Sequence, residues 1–153
     1  MQNVDQFMSA SNRAEKAEWI KGAIERLEQK LGKEKSIKIM EKCGRECFGP
    51  KHSEQAKNLM SESKSTDEFI GKLSRGGVKF KLKDKNTVVG EYTKCYCSLV
   101  NQTSRPFSSK IYCYCGVGHI KQQFESAFGK PVEVELVHSV ITGAKTCNFL
   151  IHI

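Results

Sequence analysis

The feature that most constrains this chain is a change of hydrophobic period at Gly76 and Gly77. Before these glycines, apolar residues recur every three or four positions; after them, apolar and polar residues alternate. The first period fits a helix with one buried stripe, and the second fits a strand with one buried face. A helical half and a sheet half must therefore share apolar surface.

In the helical half, Trp19, Ile20, Ala23, Ile24, Leu27 and Leu31 form one stripe, with Ser11 or Asn12 as the cap and Gly32 as the end. A second helix is predicted from about Lys33 to Cys47. Ile37, Met40, Cys43, Gly44 and Cys47 share its inner face, and Gly49 with Pro50 stops it. Short helices are predicted near Ser53–Met60 and Thr66–Leu73, the latter capped by Thr66. In the sheet half, Val78, Phe80 and Leu82 alternate with lysines, and Asp84-Lys85-Asn86 is turn chemistry. A returning strand is predicted from Thr87 to about Leu99, with Gly90 as a bulge or close contact. The run IYCYCGVGHIKQQFESAFGK starts extended and turns helical, and two further strands, VEVELVHSVI and TCNFLIHI, follow it. The expected fold is α+β: a four-stranded, mostly antiparallel sheet covered by helices on one face. Residues 1–75 supply the helical part of a single domain, and residues 76–153 supply the sheet plus one helix.

The net charge of +8 raises the question of nucleic acid. Lysines are spread along the whole chain among Glu and Asp, however, and the densest basic run, VKFKLKDK, alternates. Lys79, Lys81 and Lys83 are expected on a solvated sheet face, and no nucleic-acid partner is expected. No apolar run approaches the roughly 20 residues of a membrane helix, and the amino terminus lacks a signal-peptide pattern. The reading is a cytoplasmic protein with no membrane partner.

In a reducing compartment, seven cysteines point to metal or thiol chemistry rather than to a disulfide framework. Six come as close pairs. Cys43 and Cys47 are four apart on a predicted helix, so they share a face. Cys95 and Cys97 are two apart on a predicted strand, and Cys113 and Cys115 repeat that spacing. If the two latter segments paired as a hairpin, Cys95 would oppose Cys115 and Cys97 would oppose Cys113. Four thiolates on one face suit a soft cation such as zinc, which takes four sulfur or nitrogen ligands in a tetrahedron. The six are candidate metal ligands, and Tyr96, Tyr114 and His119 are candidate ligand contacts. Cys147 alternates with Phe149, Ile151 and Ile153, so it is expected in the sheet core and unreactive. His52 is read as a loop residue, and His138 and His152 as ordinary strand residues.

The run YCYCGVGHIKQQFESAFGKPVEVELVHSVITGAKTCNFLIHI resembles the carboxy-terminal half of the four-vinyl-reductase-type domain. That superfamily includes the sensor domains of aromatic-responsive bacterial activators. The ending with Gly143, Cys147 and Phe149 is also similar to that of L-2-amino-thiazoline-4-carboxylic acid hydrolases. The resemblance spans about residues 78–153 and suggests a Cys-rich bacterial branch. It implies a small molecule enclosed between helices and a four-stranded sheet, and a homodimer formed through the helices. It also implies structural zinc, held in the sensors by Cys-x22-Glu-x2-Cys-x7-Cys. At those spacings this chain has Cys113, Leu136, Ser139 and Cys147, so only two of the four ligand types match.

The expected function is a small-molecule or zinc-type metal-binding domain with a clustered cysteine site. The alternative is a hydrolase of a small cyclic amide or thiazoline, or a thiol-dependent enzyme.

Overall fold

The computed structural model describes the backbone of residues 2–153 and the side chains of residues 12–153. The first helix, α1 (Gln2–Leu31), begins upstream of Ser11 and Asn12, so neither residue starts it. Its inner stripe is narrower than the sequence pattern suggests. Ala17 is fully buried, Ile20 and Ile24 are partly buried against the cluster of Met40, Val100 and Phe107, and Trp19 is 75% exposed.

In α2 (Lys33–Ser61) the buried residues Ser36, Met40, Gly44 and Phe48 follow a four-residue step. Cys43 and Cys47 lie one position off that line, about 100° round the helix, and are exposed rather than inward-facing. The helix is kinked at Gly49, whose φ is 70°. A residue without Cβ tolerates that angle, and Pro50 is suited to reopening the helix because a first-turn N–H needs no partner. The predicted stop is thus a break in α2, where one helical segment ends and a second begins. The next helix, α3 (Thr66–Leu73), is capped by Ser65 rather than Thr66: Ser65 Oγ accepts from the Glu68 N–H at 3.1 Å.

Strands β1 (Val78–Asp84), β2 (Thr87–Tyr92), β3 (Glu133–His138) and β4 (Cys147–His152) form one sheet in the order β1-β2-β4-β3, with every neighbouring pair antiparallel. Its covered face presents Phe80, Val88, Leu136, Phe149 and Ile151 to Phe69 and Ile70 of α3 and to Val117, Ile120 and Phe124 of α4 (Tyr114–Phe128). The outer face carries Lys79, Lys81 and Lys83 opposite Glu133 and Glu135 at the far edge. The chain is thus α+β, with its helices packed on the sheet.

Strand β2 ends at Tyr92 rather than near Leu99. Tyr92 pairs with Cys147, the first residue of β4, so the ladder runs out there. The chain then turns, with the Val100 and Asn101 N–H groups both donating to the Cys97 carbonyl. Residues 111–113 form a 3-10 turn leading into α4, so the hairpin that would have set Cys95 against Cys115 and Cys97 against Cys113 does not form. Beyond the sheet end, Met40, Val100, Phe107, Ile111, Tyr112 and Ile141 make a second apolar cluster, which meets the first at Cys113 and Tyr114.

Helices α2 and α4 cross backbone to backbone. A Cβ on Gly44 would stand 1.8 Å from the Cys115 carbonyl oxygen, and one on Gly118 would stand 1.9 Å from the Glu41 carbonyl oxygen. Arg45 clamps the crossing with two hydrogen bonds to Glu125, at 2.7 and 3.0 Å. Burial of Glu125 opposes ionisation, but the Arg45 hydrogen bonds and the Val132 N–H outweigh it and lower the carboxyl pKa. A carboxyl lowered on folding stabilises the fold above its unfolded pKa, and that stability is lost as pH falls through the folded value. Glu125→Gln is therefore expected to cost roughly 1–2 kcal/mol at neutral pH. Urea unfolding of both proteins from pH 7 to pH 3 should show the gap closing in acid; a gap independent of pH would contradict the assignment.

A further set of bonds ties the long loop after β2 to α1. Glu18 accepts from the Ser104 N–H at 2.6 Å and from its hydroxyl at 2.9 Å. Glu25 accepts from the Ser108 N–H and hydroxyl, and Glu28 from the Ser109 hydroxyl.

Candidate functional site: a thiol-lined cavity

Where the two apolar clusters meet, a cavity of about 430 Å³ opens beside the sheet end. Cys47 of α2 and Cys115, Gly116 and His119 of α4 line one side. The loop contributes Cys95, Tyr96, Cys97, Leu99 and Val100. Tyr92, Cys147 and Phe149 come from the sheet, and Tyr112 and Cys113 from the turn before α4. Five of the six proposed metal ligands thus border one space, together with Cys147. The sixth, Cys43, lies outside the lining but close enough for its charge to be felt at Cys115.

Of the proposed ligand contacts, Tyr96 and His119 border the cavity, whereas Tyr114 packs between the two apolar clusters. His119 lies edge-on to the Phe48 ring, with centroids 4.6 Å apart, and burial with His52 nearby lowers its pKa. His52 is helical rather than in a loop, its Nδ1 2.6 Å from the Phe48 carbonyl oxygen.

The thiols fall into two groups. In the outer group, burial is the main force that pushes the Cys115 thiol up to about 11, with Cys47, Cys97 and Cys43 adding to it. The Cys97 sulfur lies 3.1 Å from the Tyr112 hydroxyl. Burial, then that hydrogen bond, raises the phenol pKa of Tyr112. A neutral phenol and a sulfur on an apolar wall offer a ligand one compact polar point.

The inner group is Cys113 with Cys147. The Cys113 sulfur is 2.9 Å from the buried Ser139 hydroxyl, and the Cys147 sulfur accepts the Val140 N–H at 3.3 Å. Both sulfurs are thus held against the same two adjacent residues, Ser139 and Val140. The neighbouring Cys113 thiol, with the Val140 N–H, lowers the Cys147 pKa to about 6 against the effect of burial, and the same neighbourhood, with burial, raises that of Cys113. Cys147 is in the core as expected, 6% exposed. The Val140 N–H donated to its sulfur favours the thiolate.

Sequence reasoning missed Tyr112 and the positive role of Ser139. In IYCYC the two tyrosines look equivalent while the segment is read as extended; only the helical turn distinguishes Tyr112 from Tyr114. Ser139 had appeared only as a mismatch in the zinc spacing. That spacing does fold together in part, since Cys113, Ser139 and Cys147 meet. Leu136 instead joins the apolar core, paired with Phe149. Two sulfurs and a hydroxyl, with leucine in the carboxylate's place, do not fit a zinc ion that takes four donors. Among the described residues, no group of three or more His, Cys, Asp or Glu side chains is arranged to hold a metal ion. Nor, among them, is any helix long and apolar enough to cross a membrane.

The fold is similar to one seen in a solved structure. The crystal structure of the phenol-responsive sensory domain of the transcription activator PoxR, with phenol, is similar to this chain with a TM-score of 0.54 and 16% identity, covering 87% of this chain and 72% of the other. The likeness is one of fold, helices packed on a four-stranded sheet. The chain matches, over residues 4–153, the family described as a family of unknown function (DUF6144), and it belongs to that family. No curated protein matches it.

Proposed function

We propose that this chain is a small-molecule-binding domain of a Cys-rich four-vinyl-reductase-type branch, and that its ligand is a flat, mostly apolar molecule with one hydroxyl, seated in the thiol-lined cavity. The observation that carries this reading is the cavity itself. About 430 Å³ lies between helices and sheet, walled mainly by aromatic rings and cysteine side chains, with the Tyr112 hydroxyl and Cys97 sulfur as a polar point on an apolar wall. Small-ligand sites have this composition and size. The phenol-responsive domain with the same fold supports the ligand class. A cytoplasmic location suits seven unpaired cysteines.

Thermal unfolding with a panel of phenols, benzene and toluene tests the proposal. At a hundredfold excess over Kd, binding adds about 2.7 kcal/mol, which for a chain of this size raises Tm by roughly 5–10 °C. Tyr112→Phe is expected to weaken phenols about tenfold and to leave toluene unchanged. A panel that leaves Tm within a degree would refute the reading.

A second reading, thiol-dependent catalysis, draws on Cys115 and His119, one helical turn apart on the cavity wall. The raised thiol pKa of Cys115 weighs against it. Metal analysis of protein purified anaerobically tests the zinc reading, which would require the thiols to rearrange around the ion.

A further inference from the structure

Two observations about the inner thiols remain unused by ligand binding. The first is the shared setting of Cys113 and Cys147. They stand at the ends of different elements, one closing the 3-10 turn before α4 and the other opening β4, yet the Cys113 sulfur lies 2.9 Å from the Ser139 hydroxyl and the Cys147 sulfur accepts the N–H of the next residue, Val140, at 3.3 Å. The second is that both sulfurs border the cavity, which the exposed rim residues Tyr96 and Leu99 leave open to small solutes. The position matches two of the four zinc spacings of the sensor domains, and the residues present do not fit zinc there. Two sulfurs held against one short segment and facing one cavity are placed to approach each other as a disulfide.

We propose that Cys113 and Cys147 form an oxidisable dithiol that closes to an intramolecular disulfide when a small hydroperoxide enters the cavity. The Cys147 sulfur is the attacking atom, because the Val140 N–H points at it and stabilises negative charge there. It attacks the terminal oxygen of the hydroperoxide. The S–O bond forms, the O–O bond breaks, and the alcohol leaves with a proton. The Cys113 sulfur then attacks the sulfenic sulfur; the S–S bond forms, the S–O bond breaks, and hydroxide leaves as water with the Cys113 proton. The balance is two thiols and one hydroperoxide to one disulfide, one alcohol and one water.

The other close pairs are less suited. Cys43 and Cys47 lie one turn apart on one helix, where Cβ atoms stand about 5–6 Å apart, beyond the roughly 3.5–4.5 Å a disulfide needs. The Cys97 sulfur is held by the Tyr112 hydroxyl. This inference does not depend on the ligand proposed above, since a hydroperoxide needs only entry to the cavity.

The test uses the whole reduced chain and cumene hydroperoxide at one equivalent, followed by denaturation, thiol alkylation and non-reducing peptide mapping. The expected result is a fall of two in alkylatable thiols, from the seven present, with the Cys113 and Cys147 peptides joined in most molecules before any other pair. Cys113→Ser should leave a sulfenic acid at Cys147 that dimedone traps. Because that variant alters a buried position, the wild-type map decides the question. Cys113 and Cys147 remaining alkylatable, or another pair joining first, overturns the proposal.

Discussion

Gly118→Ala is expected to lower stability by roughly 3–5 kcal/mol, more than most single substitutions. The added methyl group would meet a carbonyl oxygen of α2, and a backbone atom cannot swing aside as a side chain can. Helices α2 and α4 would have to part by about an ångström or more, losing close packing along the whole crossing. Gly44→Ala makes the same demand from the other side and should cost a similar amount. Both substitutions force one separation, so the double variant should lose clearly less than the sum. Gly71→Ala is the control: nothing lies within 4 Å of its Cβ position in α3, and helix propensity predicts a gain of about 0.5–1 kcal/mol. Urea midpoints for the four variants check the series. A Gly118→Ala protein as stable as the parent would mean that the helices do not cross this closely. Since Cys115 and His119 ride on α4, the same substitution should also widen the cavity and weaken any ligand bound there.

Phe124→Ala is expected to cost about 3–5 kcal/mol through lost burial and an unfilled void. Phe124 is fully buried, with the rings of Phe69, Phe80 and Phe128 at centroid distances of 6.2, 5.7 and 6.1 Å. It lies in the sheet cluster and not on the thiol-lined cavity. Stability and binding should therefore separate: the urea midpoint falls, while ligand affinity measured at low temperature on folded protein stays within about twofold. Phe124→Leu refills part of the void and should recover more than half of the loss. A large change in affinity would show that the two apolar clusters behave as one.

The fold was legible in the sequence wherever one face of an element is buried and the other is wet. Val78, Phe80 and Leu82 between lysines announced β1, and Cys147, Phe149 and Ile151 announced β4, because a period of two has one physical meaning. Gly49 and Pro50 marked the break in α2 for the same local reason. Long-range pairing was what the sequence could not supply. The end of β2 at Tyr92 is set by where β4 begins, 55 residues further along the chain. The site was half legible for the same reason. Close cysteine pairs signalled convergence, but the turn at 111–113 decided which tyrosine meets a sulfur. The inward line of α2 is carried by Ser36 and Gly44, which hydrophobicity ignores, and that turned Cys43 and Cys47 outward.

The carboxylates of α1 have a kinetic consequence. Glu18, Glu25 and Glu28 grip the serines of the loop whose earlier residues, Cys95 to Val100, wall the cavity. Helix and loop are therefore expected to open as one cooperative unit, with amide protons that exchange together and ahead of those of the sheet. How long a ligand stays would then be governed less by its fit than by how often three glutamates release three serines. Residence time and affinity could thus be tuned separately, by residues that never touch the ligand.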